Sequence, residues 1–287
     1  VYSERIRWRR GKKNMHGAKA KWKIFIACHD KIYDGQMAGD KRFNNNNYCF
    51  LNIGPLETIE NSDKYCCINQ KDLPGFIAIG KYWTESEGIY NIWRSGIYRD
   101  LDYIGFLHYD MEFRLEKKNR MREQFYMGTA TNITSRIEKY LNGGGKSHIS
   151  FRTHDVRWDY AQRIMADVTR PNEFVGDGRN CYHYILDDYN EYFNKSYTLD
   201  DAFKRKNINL CSCFLIDVKT FDKMMGFFDW LVMSHRLDAF DAEHRYRFQG
   251  NMAERYFGMF LLFEYDEMMN LTLIHMLNRD KMKESVI

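Results

Sequence analysis

Two short apolar segments, each ending in polar residues, constrain the fold of this chain most strongly. They are KWKIFIACHD at residues 21–30 and DYIGFLHYDMEF at residues 102–113. Apolar runs of this length predict buried strands of a parallel sheet, because helices cover both faces of such a strand. In sheets of this kind, ligands bind at the carboxyl ends of the strands. The polar residues that end each segment are therefore candidates for a functional site.

The rest of the chain alternates between patterns typical of helices and of strands. Apolar residues recur at near-helical spacing in residues 82–100, whereas residues 209–221 form a β-rich apolar run. The last third is helical in character, with a broad apolar face between residues 252 and 263. This alternation predicts an α/β fold, with a Rossmann-like, mainly parallel central sheet flanked by helices and a helical C-terminal portion. Residues 23–287 are enough for a single domain of this type.

Positive charge is concentrated at the N-terminus. Residues 1–23 carry nine lysines and arginines against the single acidic residue Glu4, although the formal net charge of the whole chain is only +4. A basic arm of this kind can bind nucleic acid or an anionic membrane surface, and a solvated linker gives the same pattern. Because the remainder is net acidic, we interpret residues 1–22 as a basic arm or a linker to a neighbouring N-terminal domain. We expect no specific nucleic-acid partner.

Two absences in the sequence indicate a soluble protein. The chain has no run of eighteen or more apolar residues, so no transmembrane segment is expected. Its seven cysteines are an odd number without repeated spacing, which favours reduced thiols over a disulfide framework and gives no zinc-site pattern. The expected location is therefore cytoplasmic.

Asp110 and Glu112 stand at the end of the second apolar segment. At positions i and i+2 of an extended chain, two side chains project to the same side. Such a carboxylate pair can hold Mg²⁺ or Mn²⁺, which prefer oxygen ligands and are often shared with substrate phosphates. An acidic strand end exposed to solvent is the alternative, and the two residues taken alone favour it.

Five segments occur in an order that resembles a known family. They are KIFIACHD (23–30), SEGIYNIWRSG (86–96), DYIGFLHYDMEF (102–113), NLCSCFLIDVKTFDKMMGFFDWL (209–231) and GNMAERYFGMFLL (250–262). The family is the bacterial exopolysaccharide and capsular-polysaccharide glycosyltransferase-like family, first catalogued as a domain of unknown function. The similarity spans most of residues 23–263, and the common order is more specific than any one segment.

This resemblance implies a GT-A-like fold and a transferase activity. The enzyme would move a sugar from a nucleotide-sugar donor, such as a UDP-sugar, to a glycan or polysaccharide acceptor. Relatives carry paired arginines after the His-Tyr of the third segment, where this chain has Asp110 and Met111. With Glu112, these residues are similar to the acidic DxD signature of metal-dependent GT-A enzymes. Because carboxylates cannot neutralise a diphosphate as arginines can, the difference predicts a requirement for Mn²⁺ or Mg²⁺.

The resemblance also implies residues that contact the donor. His29 and Asp30 close the first strand, where GT-A enzymes contact the nucleotide, and a loop with satisfied polar groups is the alternative. Asn91 and Arg94 lie in the helix before the acidic strand, and Arg94 can form a charge-assisted contact with a phosphate. For these two residues the alternative is a solvated helix face.

The resemblance to GT-A enzymes also implies donor-binding and metal-binding roles for residues later in the chain. Asn209 and Ser212 match a strand that places polar groups under the donor sugar in retaining galactosyltransferase-like enzymes, with a core strand edge as the alternative. His275 is a candidate third metal ligand, with a packed residue of an apolar helix as the alternative.

Glu254 is the residue that we expect to act as general base if transfer inverts the anomeric carbon, because the attacking hydroxyl must then lose a proton. It resembles an acidic residue that inverting GT-A enzymes carry near the start of a helix. A surface pair with Arg255 and a favourable position in the helix dipole are the alternatives. Asp217 and Asp241 are weaker candidates for the base.

A non-catalytic module is the rival to the whole assignment. It would keep the same fold and bind a glycan or a nucleotide without turning it over. A binding-only module should show no donor hydrolysis on long incubation, whereas an enzyme should hydrolyse or transfer the sugar.

Overall fold

The computed structural model describes residues 19–29, 32, 47–60, 63, 65–80, 83–108, 111–119, 122–127, 130–143, 148–164, 179–236, 248–266, 268–271 and 273–275. Within these ranges it describes side chains except those of residues 111–133, 162–164, 248 and 273–275.

A seven-stranded sheet forms the centre of the fold. From one side to the other its strands are β11 (Met269–Asn270), β7 (His148–Ser150), β10 (Phe214–Asp217), β4 (Tyr103–His108), β1 (Trp22–Cys28), β2 (Tyr48–Asn52) and β3 (Cys67–Asn69). All neighbouring strands pair in parallel except β10, which is antiparallel to both β4 and β7. The sheet is therefore mainly parallel, as the sequence predicts.

Two smaller sheets accompany the central one. A three-stranded antiparallel sheet contains β5 (Met111–Asn119), β6 (Arg122–Met127) and β12 (Leu273–His275), and a two-stranded sheet contains β8 (Thr153–Asp155) and β9 (Asn207–Asn209).

Seven α-helices lie in the described part of the chain. They are α1 (Glu85–Ser95), α2 (Ala130–Asn142), α3 (Val156–Ile164), α4 (Cys181–Phe193), α5 (Leu199–Arg205), α6 (Val218–Met233) and α7 (Phe248–Glu264). The helix expected within residues 82–100 is α1, and the helical C-terminal portion corresponds to α6 and α7. Helix α1 ends where Gly96 adopts a φ of 70°, a left-handed conformation that glycine takes at little cost. Among the described helices, none has both the length and the apolar character needed to cross a membrane.

Alternate residues of the central strands supply two apolar cores, one on each face of the sheet. Phe25 of β1 stacks on Phe106 of β4 with ring centroids 5.8 Å apart, in the core that α1, α4, α6 and α7 complete. Ile24 and Ile26 belong to the opposite core with Leu107 and residues of α2. Full burial of such a side chain contributes roughly 1.5–3 kcal/mol. The prediction of an α/β fold with a mainly parallel sheet between helices is confirmed.

Candidate functional site

Several strands bring polar residues to one end of the central sheet, here called its carboxyl end. Ala27 near the end of β1 pairs with His108 at the end of β4. Because β10 is antiparallel to β4, residues 211–213, which precede it, lie at the same end. Strand β7 also finishes there, with Ser150 opposite the first residue of β10. The polar end of the sheet therefore gathers residues from distant parts of the sequence.

His108 is the last residue of β4 and is only 9% exposed. Its Nδ1 atom lies 3.9 Å from Oε1 of Glu85, the buried first residue of α1. Its other ring nitrogen, Nε2, is buried and has no hydrogen-bond partner among the described residues. Nδ1 therefore faces the carboxylate of Glu85, whereas Nε2 can form a hydrogen bond with a ligand.

The turn before β10 has an uncommon backbone. Cys211 and Ser212 have φ values of 61° and 50°, in the left-handed region that non-glycine residues rarely adopt. Conformations of this type cost on the order of 1–3 kcal/mol each and concentrate at functional sites. Ser212 is 1% exposed, and its hydroxyl oxygen has no partner within the described ranges. The turn therefore holds a buried hydroxyl at the carboxyl end of the sheet.

Asn209 fixes the base of this turn. Its side-chain amide donates to Oγ of Ser150 at 2.6 Å and to the carbonyl of Cys213 at 2.8 Å, and it lies 3.4 Å from the carbonyl of Arg152. Its own Oδ1 is buried and has no hydrogen-bond partner in the described part of the chain. Nδ2 of Asn209 thus stabilises the turn through its hydrogen bonds. Oδ1 of Asn209 is the third buried polar atom without a partner among the described residues, after Nε2 of His108 and Oγ of Ser212.

Helix α7 approaches the same turn from outside the sheet. A Cβ atom on Gly258 would lie 2.2 Å from the carbonyl oxygen of Asn209, so only glycine permits this contact. One turn earlier, Glu254 is half-buried. The pKa of the Cys211 thiol is raised to about 12, first by burial and then by the negative charge of Glu254, while Arg152 lowers it. Glu254 and Arg152 therefore both lie close to the turn.

These groups offer complementary chemistry. A half-buried carboxylate such as Glu254 can accept a proton from an attacking hydroxyl. The guanidinium of Arg152 can pair with phosphate oxygens through charge-assisted hydrogen bonds. Neutral polar atoms such as Oγ of Ser212 and Oδ1 of Asn209 suit the hydroxyl groups of an uncharged ligand.

The predicted metal site lies mostly outside the described residues. Asp110 is not described, and of Glu112 only the backbone is, where it pairs with Ile274 of β12. His275 pairs with Met111, so it lies on a strand beside the acidic segment and not on the apolar helix that its sequence suggested. Among described residues, no group of three histidines, cysteines or acidic residues could hold a metal ion. The metal ligands stay a prediction.

Of the donor residues expected after β1, only His29 is described. It is half-buried, and the loop after β2 packs tightly against it, because a Cβ atom on Gly54 would lie 2.2 Å from the carbonyl oxygen of His29. His29 follows the end of β1 and so belongs to the carboxyl end of the sheet. Asp30 lies outside the described residues.

Asn91 and Arg94 lie further along α1, away from the polar end of the sheet. The buried side chain of Asn91 bonds to the backbone N–H and carbonyl of Ile77, at 2.9 and 3.0 Å. Arg94 donates from Nε to the carbonyl of Gly75 at 3.3 Å. At about 1.5 Å per helical residue, Arg94 is roughly 13 Å along the helix from Glu85. The structure therefore does not bring these two residues to the group around Ser212.

The weaker candidates for the general base do not join the site either. Asp217 ends β10 at the opposite end of the sheet, where it caps α6 by accepting a hydrogen bond from the backbone N–H of Thr220 at 2.9 Å. Asp241 lies outside the described residues.

Three residues at the site were not among the sequence candidates: Glu85, His108 and Arg152. A signal existed for His108, because it closes the apolar run that precedes the acidic pair. The sequence contained no signal for Glu85 other than its position at the start of a helix. Arg152 follows a strand of three residues, which is too short for any periodicity.

Comparisons with known proteins gave structural similarity but no sequence relative. No family model matches the chain, and no curated protein matches it. Among solved structures, the mannosyltransferase Ktr4p from S. cerevisiae is 12% identical with a TM-score of 0.34, covering 84% of this chain and 64% of its own. Its complex with GDP is 10% identical with a TM-score of 0.31, covering 76% and 66%.

The apo structure of the WbbM bifunctional glycosyltransferase is more similar. It has a TM-score of 0.52 and 13% sequence identity over 90% of this chain and 46% of the WbbM chain. This chain thus spans less than half the length of the WbbM chain. At this identity the similarity concerns the fold, and the chain therefore shares the overall α/β fold of a glycosyltransferase structure.

Proposed function

We propose that this protein transfers a sugar from a nucleotide-sugar donor, a UDP-sugar in the first instance, to a glycan acceptor with the help of a divalent cation. One observation carries the proposal. Three buried polar atoms without partners among the described residues, on His108, Asn209 and Ser212, lie at the carboxyl end of a sheet whose fold resembles that of WbbM. Sheets of this class bind their ligands at that end.

The three atoms favour a ligand rich in hydroxyl groups. A buried polar atom left unsatisfied costs roughly 1–3 kcal/mol, which a bound hydrogen-bonding group can recover. A sugar supplies several hydroxyls that both donate and accept hydrogen bonds. The donor sugar would therefore lie over the turn that contains Ser212, with His108 on its β4 side.

The charged groups fit the remainder of the reaction. Arg152 would bind the diphosphate of the donor, because guanidinium groups pair well with phosphate oxygens. Glu254 would accept the proton of the acceptor hydroxyl as it attacks. His29, which follows β1, would contact the nucleotide, with Asp30 beside it in the sequence.

Asp110 and Glu112 would hold the cation, Mn²⁺ or Mg²⁺. A divalent ion there would neutralise charge on the leaving diphosphate. The pairing of β12 with β5 brings the backbone of His275 next to Met111, which supports His275 as a further ligand. Histidine and carboxylate together form a donor set that Mn²⁺ accepts.

The biological setting is part of the proposal. The protein would act in the cytoplasm in polysaccharide biosynthesis, with residues 1–22 linking it to a neighbouring domain.

A donor-hydrolysis and transfer screen tests this function. Purified protein would be incubated with a panel of nucleotide sugars and with glycan acceptors, in Mn²⁺ and in a chelator, and release of nucleoside diphosphate would be measured. We expect release from a UDP-sugar that the chelator abolishes, and that an Asp110→Asn, Glu112→Gln double variant loses. Tight nucleotide binding without turnover on long incubation would instead identify a non-catalytic binding module. Metal-independent turnover would exclude the cation's role.

A further inference from the structure

Two thiols outside the polar site lie unusually close together. Cys49 is in β2, and Cys66 immediately precedes β3; their Sγ atoms are 3.0 Å apart and share a hydrogen bond. Phe50 pairs with Cys67 across the two strands, so Cys49 and Cys66 are the next pair in the same parallel register. Neighbouring strands are about 4.7–4.9 Å apart, within the Cα separation of about 4.4–6.8 Å that a disulfide spans.

The two thiols differ in environment. Cys49 is fully buried, whereas Cys66 is exposed. The hydrogen bond with Cys49 lowers the pKa of Cys66 to about 6, an effect that partial burial opposes and the charge of Lys23 assists. The same contact, together with burial, raises the pKa of Cys49. The contact between the two thiols therefore favours ionisation at the exposed Cys66 and opposes it at the buried Cys49.

We propose that Cys49 and Cys66 form a reversible dithiol–disulfide site whose co-substrates are low-molecular-weight disulfides such as oxidised glutathione. The thiolate of Cys66 attacks one sulfur of glutathione disulfide, forms a mixed disulfide and expels one glutathione thiolate. Cys49 then loses its proton to solvent and attacks the sulfur of Cys66, which expels the second glutathione. The protein loses two protons and two electrons, and one glutathione disulfide becomes two glutathione molecules.

Cys67 is the nearest competitor for this chemistry, and its surroundings disfavour it. Burial, followed by the charge of Cys66, raises the pKa of Cys67 to about 11, so it remains a thiol at neutral pH. Cys67 is also a strand residue within β3, and successive strand residues point to opposite faces. It therefore provides a matched control one position away from the reactive thiol.

The dithiol lies in the part of the fold that leads to His29. Strand β2 continues into a loop in which the N–H of Ile53 donates to the carbonyl of Cys28 at 2.8 Å, and Gly54 packs against His29. The same loop leads back to Cys66 and β3. A disulfide would close this segment at its base. The proposal does not depend on the proposed glycosyltransferase activity.

Intact mass spectrometry of the full chain tests the site. The reduced protein would be equilibrated with glutathione buffers of increasing oxidation under native conditions, quenched with acid and digested. We expect wild type and Cys67→Ser to lose two hydrogen masses, with a cross-link between the peptides that contain residues 49 and 66. Cys49→Ala should stop at one glutathione adduct on Cys66, and Cys66→Ser should form neither product.

A persistent intramolecular bond in Cys66→Ser, its loss in Cys67→Ser, or a wild type that stays reduced in oxidised buffer would overturn the proposal. Alkylation of the reduced protein by iodoacetamide supplies a second measurement. The rate at Cys66 should reach half its maximum near the pKa of about 6, and that at Cys67 only near about 11. Equal profiles for the two residues would also overturn it.

Discussion

The buried carboxylates of the helical layer and the buried neutral polar groups at the carboxyl end of the sheet differ in their hydrogen bonding. In the helical layer, formed by α3, α4, α6 and α7, carboxylates are paired. Asp188 bonds to Arg236 at 2.8 Å and to the hydroxyl of Tyr256, and Asp159 accepts from the hydroxyl of Tyr182 at 2.6 Å. At the carboxyl end of the sheet, three buried polar atoms have no partner among the described residues.

The helical layer also contains buried atoms without a hydrogen-bond partner among the described residues, namely Nδ2 of Asn180, Oε1 of Gln249 and Nε of Arg255. Asn180 and Arg255 nevertheless stabilise their helices, since Oδ1 of Asn180 accepts from the N–H of Tyr182 and Arg255 donates to the carbonyl of Asn251. We interpret the paired carboxylates as groups that stabilise the fold, and the unpaired atoms at the sheet end as groups available to a ligand.

Arg255 is 4% exposed and lies 3.3 Å from Asp159, which is 1% exposed, so each charge compensates the other. A buried ion pair adds little net stability, but removing one member is costly. Oγ of Ser212 and Oδ1 of Asn209 have no hydrogen-bond partner among the described residues, so these two atoms do not stabilise the folded state. We therefore expect substitutions in the helical layer to change stability and those at the sheet end to change binding.

Asp159→Ala should show the largest effect. It leaves the charge of Arg255 buried without its carboxylate and the hydroxyl of Tyr182 without its acceptor. We expect the free energy of unfolding to fall by roughly 3–5 kcal/mol, measured by urea denaturation. Asp100→Ala, at an exposed turn residue, is the control and should change it by less than about 0.5 kcal/mol. If the two variants lose similar amounts of unfolding free energy, the paired carboxylates of the helical layer do not stabilise the fold as we infer.

Gly258→Ala tests the contact between the helical layer and the sheet end. Its new methyl group would overlap the carbonyl of Asn209, and overpacking of this kind costs roughly 1–3 kcal/mol. Because the strain falls on Asn209, donor affinity should fall as well. Gly226→Ala in α6 is the matched control, since its nearest neighbour is the end of the Tyr192 side chain at 3.3 Å.

The control should gain up to about 1 kcal/mol from the better helix propensity of alanine, with donor affinity unchanged. If Gly258→Ala and Gly226→Ala have the same unfolding free energy and the same donor affinity, α7 does not position the turn that contains Ser212.

Ser212→Ala should dissociate binding from stability. Since its hydroxyl has no partner among the described residues, unfolding should change by less than about 0.5 kcal/mol. Loss of one hydrogen bond to the donor should weaken affinity roughly two- to tenfold. Ser95→Ala is the opposite case, because Ser95 donates to the carbonyl of Ile92 at 2.7 Å, far from the site. It should lower stability modestly and leave affinity unchanged; the reverse pattern would contradict the assignment.

Asp201 provides the smallest effect, because its hydrogen bonds with Thr198 and Lys204 lie at the protein surface, where water screens them. It caps α5 with Thr198, whose hydroxyl and backbone N–H lower the pKa of Asp201 to about 2 from 3.8. Because the folded-state pKa is depressed, the stabilisation is complete above 3.8 and disappears as pH falls toward about 2. The gap in unfolding free energy between wild type and Asp201→Asn should close over that range. Asp200→Asn, at an exposed residue in the same turn of the helix, is the control for the loss of one negative charge. A pH-independent gap for Asp201→Asn would refute the capping role.

The sequence predicted the strands of the sheet better than their arrangement. Strands β1 and β4 were identifiable because apolar runs with polar ends describe buried parallel strands. The antiparallel direction of β10 had no such signal, because a buried strand has the same composition in either direction. For the same reason, the residues beside His108 could not be predicted: the pairing that places Ser212 there is set by register, which no local pattern contains.

Only some of the residues near the carboxyl end of the sheet were candidates from the sequence. Asn209, Ser212 and Glu254 lie near one another, as their assigned roles require, although those roles themselves stay predictions. Asn91 is a polar residue and was therefore a candidate for donor binding. The sequence could not show that its side-chain amide forms hydrogen bonds with the backbone of Ile77. Arg152 adjoins the site only because β7 pairs with β10, a contact between residues far apart in the chain.

Hydrogen–deuterium exchange measures directly whether the carboxyl end of the sheet binds the donor. Amide exchange would be mapped with and without a saturating UDP-sugar and Mn²⁺. We expect slower exchange in residues 27–29, 106–108 and 210–214, with no change in α4 or α6. Protection confined to the helical layer, or no protection at a ligand concentration shown by calorimetry to saturate the protein, would contradict it.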